Sequence, residues 1–582
     1  MLRFLLMALV VCLQGLAIEV WAQPTEVARL KIVELERKLA ALPADQFDWA
    51  LHNELRHLYG GFDERKSMLH CNIILKHSRM DDYMMQVLGG KESDSTKAIT
   101  SLSERAARYA DLPHLAAALW IKAAERSDKP AIAADFYRKA LAVKGLDAGY
   151  RDLAESRLSF DVAKSRRAWP KDIPAPQGLE KTPGPWLDPV DLAVWPNQTS
   201  RANSDSWLVQ NHDRIRSMRP RLLLINFSNE HSREHLDRLT GQLIAALAES
   251  SRYHGHKDEH VSAFLKYEVF KFVDLRDADR KTGDSRLTPI KNPLAKAGFN
   301  MKYRAYFSDE FAKHYGVPDP STPGRFLRLD ELIDGGYVHE VWFFGSGAPE
   351  KPQIGAYEVV EEKPQYDDHF QRKSNQFVQA GNGGDQDQPW TGRSVRLGFV
   401  NASRGIGCFM ESLSHGMEGM ANSGAIPYYT KYFRDYAGFN LKERFKLPFD
   451  SLYGVNYGGH PIRYLNEKTM VVTHDGKEYR IDNYICTGGN VHFPPNGRSH
   501  YDLQNERPVL STAEDWRIGS GPGGKDLVTR FTNAAFRNYL DQAPDCMGAW
   551  LIYWRQNIPG RDNLQKDDQG KPMKNWWPFL FY

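Results

Sequence analysis

The sequence predicts a two-part protein: an all-α array of helical hairpins, then an α/β region with a mostly parallel sheet covered by helices and a loop-rich C-terminal elaboration. Three observations predict it. From Glu26 to about Phe160 the chain is rich in Ala, Leu, Glu, Lys and Arg, with apolar residues at helical spacing. A stretch dense in proline and tryptophan then interrupts the pattern. Beyond it, short continuous apolar runs alternate with helical patterns, as in a sheet buried on both faces. The 582 residues suit two or three domains, and 42% apolar content supports a large core. Formal charge is only +3, from 76 basic and 73 acidic residues without a basic run, so nucleic acid is not an expected partner.

Residues 1–22 read as a secretory leader: Arg3, an apolar stretch from Phe4 to Leu13, then Val20-Trp-Ala22 before Gln23. That run is shorter than the roughly 20 residues a membrane-spanning helix needs, and no later stretch supplies one. A secreted or periplasmic location without a transmembrane segment is therefore expected. Cysteine use agrees, since Cys71, Cys408, Cys486 and Cys546 are too scattered for a disulfide scaffold and fit either one bridge, with Cys486 and Cys546 as the candidate pair, or four buried thiols.

Residues 23–165 form the expected helical domain. Ala117-Ala-Leu-Trp-Ile-Lys-Ala-Ala-Glu125 and Ala131-Ile-Ala-Ala-Asp-Phe-Tyr-Arg-Lys-Ala-Leu141 are joined by Asp128-Lys-Pro130, with small residues where two helices would cross closely. This segment resembles a degenerate tetratricopeptide-type hairpin, without that family's Trp and Leu-Gly signature. The resemblance implies a partner-binding array and no chemistry of its own. Residues 166–206 are the boundary strap: Pro170, Pro174, Pro176, Pro183, Pro185, Pro189 and Pro196 favour extended chain, and three tryptophans imply that it packs along a surface.

Residues 207–582 make the α/β region, with residues 425–582 loop-rich. Arg221-Leu-Leu-Leu-Ile-Asn-Phe227, Tyr267–Leu275, Val338–Gly345 and Val395–Val400 read as strands, with helices over Ser232–Ser250 and from about Gly405. His474-Asp-Gly-Lys477 between apolar runs signals a hairpin. Ligands of such sheets bind beyond the carboxyl ends of the strands, here near Asn226, Gly345 and Asn401. No family is recognised in this region.

The sharpest chemical signal is Glu411-Ser-Leu-Ser-His415-Gly-Met-Glu418. At 100° per residue, His415 lies about 40° and Glu418 about −20° from Glu411, so the three project from one narrow stripe. Carboxylate and imidazole together bind a divalent metal or move protons. From Gly405 to Ala425 there is no Lys or Arg, and Gly407, Gly416 and Gly419 sit inside the helix, so the stripe is expected to face another segment and not water.

A second source is the stiff polar loop Cys486–Asp502, holding Asn490, His492, Asn496, Arg498, His500 and Asp502 around Pro494-Pro495. We assign Glu411 and Glu418 as catalytic carboxylates and His415, His492 and His500 as metal ligands, zinc foremost. Asn226, Arg404, Asn490, Asn496, Arg498 and Asp502 are the substrate-binding candidates. The expected activity is a metal-dependent hydrolase acting on an extracellular peptide or glycan polymer. The alternative is a non-catalytic binding protein using the helical array for a protein partner and the aromatic patches, Trp550 to Tyr582, for a protein or carbohydrate.

Three further motifs carry less. His231-Ser-Arg-Glu-His235 has the spacing of an inverted zinc-peptidase motif, but its helix reads as solvated. Gly519-Ser-Gly-Pro-Gly-Gly-Lys-Asp526 imitates a phosphate-binding loop without its final Ser or Thr, so no nucleotide is expected, and it reads as a turn before a helix over 527–540. Ser346 follows a strand without the spacing of a nucleophile elbow.

Overall fold

The computed structural model describes residues 25–43, 46–77, 88, 94–127, 129–146, 150–151, 154–155, 158, 188–226, 231–275, 303–345, 359–381, 388–455 and 460–582. The expected leader, most of the strap and Ser346 lie outside the described residues. The chain forms two compact units, Met1–Ser127 with Ile132–Ala154, and Asp128–Ala131 with Glu155–Tyr582.

The first unit is helical: α1 (Glu26–Ala40), α2 (Trp49–Tyr59), α3 (Glu64–His77), α4 (Ser95–Arg108), α5 (Pro113–Arg126) and α6 (Pro130–Leu141). Thr25, Asp48 and Asp94 cap α1, α2 and α4 by accepting from free backbone N–H groups of the first turn. The packed pairs are α2 with α3 and α4 with α5, consecutive helices joined by short turns. Ala116, Ala117, Ala118, Ala123 and Ala124 of α5 are all buried, as a close helix crossing requires. Trp120 of α5 also stacks on Phe136 of α6, with ring centroids 5.7 Å apart.

The second unit is built on a six-stranded mixed sheet. Its strands in chain order are β1 (Arg221–Asn226), β2 (Glu268–Asp274), β3 (Glu340–Gly345), β4 (Val359–Tyr366), β5 (Arg372–Gln379) and β6 (Val395–Asn401). They lie side by side as β2-β1-β3-β6-β4-β5, the first four parallel and β4 and β5 antiparallel. The expected strands are present, and the parallel character holds for four of the six. The antiparallel pair escaped the sequence because β4 reads Val-Val-Glu-Glu-Lys-Pro-Gln-Tyr, a polar string. Its charges are buried with partners: Arg396 of β6 meets Glu361 and, across the sheet, Glu340 of β3, each at 3.3 Å.

Alternate residues of the parallel strands enter two different cores. Leu222, Leu224, Trp342 and Phe344 face α7 (Arg233–Ser250), α8 (Ile406–Ser423) and α10 (Gly548–Gln556), helices that also pack on one another. Leu223, Ile225, Val341, Phe343 and Leu397 face the short helices Tyr303–Tyr306, Asp309–Tyr315 and Leu329–Asp334. Period-two alternation between two apolar layers is why these strands read as uninterrupted hydrophobic runs. The last described part of the strap is packed down, with Trp195 buried against His339 and Phe581.

Helix α9 (Pro427–Tyr436) follows α8, and a small antiparallel sheet comprises β7 (Ile462–Asn466), β8 (Thr469–His474) and β9 (Lys477–Ile481). The β8–β9 turn is the expected hairpin, with Asp475 and Gly476 both at positive φ. The helix expected over 527–540 does not form. Thr529–Phe531 instead pairs with Val509–Ser511, and two 3-10 turns follow, so the β-branched and aromatic content of Val528-Thr-Arg-Phe531 outweighs the weak helical pattern. Trp550, Tyr553, Trp554, Trp576, Trp577, Phe579, Phe581 and Tyr582 are at most 1% exposed and form core, which removes them as an exposed platform for sugars.

Candidate metal centre

Helix α8 leaves the carboxyl end of β6 with Gly405 at its N-cap and runs through the layer on one side of the sheet. It is buried nearly all round: Ile406, Phe409, Met410, Leu413 and Met417 on the apolar side, and Glu411, Ser412, Ser414 and Glu418 on the other. The lysine-free composition follows from this, because a long cation would have no route to water. Two of its glycines are steric necessities. A Cβ on Gly407 would fall 2.0 Å from the Asp545 carbonyl oxygen, and one on Gly419 would fall 1.9 Å from that of Ala380. Gly416 is different, since its Cβ would meet Val359 at an ordinary 3.5 Å.

Opposite the stripe lies the loop from Cys486 to Asp502, hung on neighbouring helices. The indole N–H groups of Trp550 and Trp554 in α10 donate to the carbonyls of Asn490 (2.9 Å) and Gly489 (3.1 Å), and the Gly488 N–H donates to Tyr436 of α9 at 2.7 Å. The Asn490 side-chain oxygen accepts the N–H groups of His492 and Phe493 at 3.2 and 3.1 Å. These bonds fix the backbone of His492 and turn its ring toward α8.

Three ligand atoms converge there. His415 Nε2 and His492 Nε2 are 3.0 Å apart, and Glu411 Oε1 is 3.2 Å from the latter and 3.7 Å from the former. Among the described residues this is the only group of three or more His, Cys, Asp or Glu with ligand atoms so close, and it could bind a metal ion. Bonds of about 2.1 Å in a tetrahedral shell put ligand atoms about 3.4 Å apart, which these spacings bracket.

The placement of protons sharpens the geometry. Glu418 accepts from Tyr453 Oη at 2.9 Å and from the Val491 N–H at 3.1 Å, and its other contact is His415 Nδ1 at 2.8 Å. A carboxylate surrounded by donors makes His415 Nδ1 a donor as well, and in the singly protonated ring this leaves Nε2 as a lone pair. On the loop side, His500 Nε2 lies 3.1 Å from the Val455 carbonyl, which can only accept, so that nitrogen carries the proton. Burial lowers the His500 pKa to about 4, so the ring is neutral near pH 7 and its Nδ1 is an acceptor. His492 Nδ1, 2.9 Å away, must donate to it, so a singly protonated His492 ring has its lone pair on Nε2 as well. Two lone pairs facing each other at 3.0 Å repel unless a cation, proton or metal ion, lies between them.

Glu411 supplies the anionic side. Burial opposes its charge, but a proton held between His415 and His492, together with the Tyr501 hydroxyl (2.9 Å), outweighs it and holds the carboxyl well below the usual carboxylate range. The centre lies just under the surface: the His415 side chain is 11% exposed, and Tyr501, at 43%, forms its outer edge.

The structure thus brings together Glu411, His415, Glu418, His492 and His500, with the roles redistributed. Glu411 stands among the candidate ligand atoms, while His500 stands behind His492 and Glu418 behind His415, each within hydrogen-bond distance of that ring. Of the expected substrate contacts, Asn496 exchanges side-chain to backbone bonds with Asn505, and Arg498 pairs with Asp502 at 2.7 Å, so these residues brace the loop. Asn490 does the same, and Asn226 is buried at the end of β1 against Asp274. Arg404 donates to Cys546 Sγ at 2.6 Å. Tyr453, Tyr501 and the Val455 carbonyl are members that the sequence pattern does not reveal. Tyr501 adjoins His500 and was within reach of it, but Tyr453 sits in a short 3-10 turn with no patterned neighbours.

The other candidates do not join a metal group. His235 Nε2 meets the Ala402 carbonyl at 2.9 Å and His231 Nε2 meets Ser403 Oγ at 3.0 Å. Cys486 and Cys546 are unbridged: Cys486 is buried, while Cys546 Sγ accepts from Arg404 in the segment that leads into α8. The candidate pairing is corrected accordingly, because the chain entering α10 packs on the start of α8 and not on the loop at Cys486. A cavity of about 110 Å³ beside Glu514 and Tyr553 contains none of the site residues. The chain matches no protein-family model, no curated protein and no solved structure.

Proposed function

We propose that the chain is a metal-dependent hydrolase whose divalent ion, zinc foremost, is held by Glu411, His415 and His492. The observation that carries this reading is the convergence of His415 Nε2, His492 Nε2 and Glu411 Oε1, with separations of 3.0, 3.2 and 3.7 Å. Two imidazoles and one carboxylate are a ligand set of catalytic zinc sites, which leave a position for water or substrate, whereas structural zinc sites favour four protein ligands rich in cysteine. A divalent ion there supplies Lewis acidity toward water and toward the bond to be cleaved.

The chain's own residues do the rest. Glu418 and His500 fix the tautomers and orientations of the two ligand rings, an outer-shell role. Tyr501, with its hydroxyl on Glu411 and part of its surface exposed, is placed to meet a substrate that approaches the ion. The substrate class we propose is an extracellular peptide or glycan polymer, consistent with the exported chain read from residues 1–22. The helical first unit, with its paired helices and tetratricopeptide-like sequence, would supply a protein-binding array.

The test is hydrolysis of peptide and glycan polymers by the zinc-loaded chain, compared with Glu411→Ala and His415→Ala. Loss of turnover in both variants beyond the about 10–100-fold typical of outer-shell changes supports the reading. Turnover unchanged in either variant, or absent from the zinc-loaded wild type across both substrate classes, overturns it.

A further inference from the structure

We propose that Cys408 and Cys546 are a redox-active thiol pair that closes to an intramolecular disulfide, tying the first turn of α8 to the segment entering α10. The proposal goes beyond the hydrolase reading and requires no metal.

The juxtaposition is built by backbone contact. Gly405, Gly407 and Gly548 leave no room for a side chain: a Cβ on Gly407 would lie 2.0 Å from the Asp545 carbonyl oxygen, and one on Gly548 would lie 2.7 Å from the Gly407 Cα. The Asp545 carboxylate clamps the same junction, accepting from the N–H groups of Gly407 at 2.8 Å and Cys408 at 3.2 Å. Two chain segments held this closely place residues 408 and 546 side by side, with Arg404, four residues before Cys408, reaching the Cys546 sulfur at 2.6 Å. A bond between them therefore needs a change of side-chain rotamers and little movement of backbone.

The surroundings favour reaction here over the other two described thiols. Cys71 and Cys486 are buried, whereas Cys408 and Cys546 are both partly exposed. Arg404 donates to Cys546 Sγ at 2.6 Å, and Cys408 lies in the first turn of an 18-residue helix, whose positive end favours a thiolate. In keeping with that position, contact with Cys546 and the Arg404 charge lower the Cys408 pKa despite burial, while contact with Cys408 raises that of Cys546. Cys408, at the N-terminal end of α8, is assigned the attacking role and Cys546 the resolving one.

A low-molecular-weight disulfide such as oxidised glutathione is the electron acceptor. The Cys408 thiolate attacks one of its sulfurs, forming a mixed disulfide and releasing one glutathione thiolate. Cys546 then attacks the Cys408 sulfur, its proton passing to the second glutathione thiolate as that leaves. Two protein thiols are oxidised, one glutathione disulfide is reduced to two thiols, and all atoms are conserved.

The experiment equilibrates the reduced full chain with oxidised glutathione, unfolds it, alkylates it and maps its peptides. The expected result is a Cys408–Cys546 linked peptide, with Cys71 and Cys486 alkylated, and an upward shift of the thermal midpoint on oxidation. Cys546→Ser should instead hold glutathione stably on Cys408. Alkylation of both Cys408 and Cys546 in the oxidised wild type, or a linked peptide containing Cys486, overturns the proposal. Since the wild-type map is read without substrate or metal, its outcome is separate from that of the hydrolase test.

Discussion

At the scale of single residues, each imidazole of the centre has one nitrogen committed to an outer partner, Glu418 for His415 and His500 for His492, and the other aimed at a shared point. This division of labour yields a graded expectation. Replacing a ligand, as in His492→Ala, should abolish specific zinc binding, whereas Glu418→Gln and His500→Gln should weaken it by about 10–100-fold, because they loosen tautomer and orientation without removing a ligand atom. Isothermal titration with zinc measures both classes. Equal losses from ligand and outer-partner variants would contradict this separation into ligands and orienting groups.

At the scale of elements, α8 owes its position to close approach. Gly419→Ala puts a Cβ 1.9 Å from the Ala380 carbonyl and must displace β5 or the helix, with an expected loss of about 1–3 kcal/mol. Gly416→Ala meets only ordinary contacts and should be neutral, or stabilising by up to about 1 kcal/mol through helix propensity. Urea unfolding of the two variants separates these outcomes. The helix was legible in the sequence because burial on all sides leaves a compositional trace: a missing cation and glycines where a surface helix would hold alanine. The loop histidines were legible as a cluster, but their ranking was not. Which of His492 and His500 faces the helix depends on the indole anchors of Trp550 and Trp554 and on the Val455 carbonyl, contacts between residues far apart in the chain without any local pattern. Strand β4 was hidden for the opposite reason, since its buried charges are satisfied by Arg396 and Thr391 and so imitate a solvated segment. The parallel strands of the sheet were legible because they are apolar on both faces.

At the scale of the whole molecule, acid sensitivity follows from histidines buried as neutral rings. Burial lowers the pKa of His212 and His339 to about 3 and of His254 to about 4, against an ordinary 6.5. Below about pH 6.5 the unfolded chain binds protons at these sites that the folded chain refuses, so stability should fall as pH drops from about 6.5 to 4, by about 1.4 kcal/mol per pH unit for each such ring. Glu411 and Glu514 are held below the usual carboxylate range, so their contribution is intact above about pH 4.5 and is lost only at more acid pH. Urea midpoints at about pH 7.5, 6 and 5 should therefore decline stepwise, and a flat series would show that these rings are not neutral in the folded chain. The proposed chemistry as a whole requires that Glu411, His415 and His492 hold a divalent ion. Elemental analysis of the dialysed, zinc-loaded chain beside His415→Ala tests this most directly. The expected result is about one ion per wild-type chain and essentially none in a variant that still unfolds cooperatively; equal metal in the two, or none in either, would contradict it.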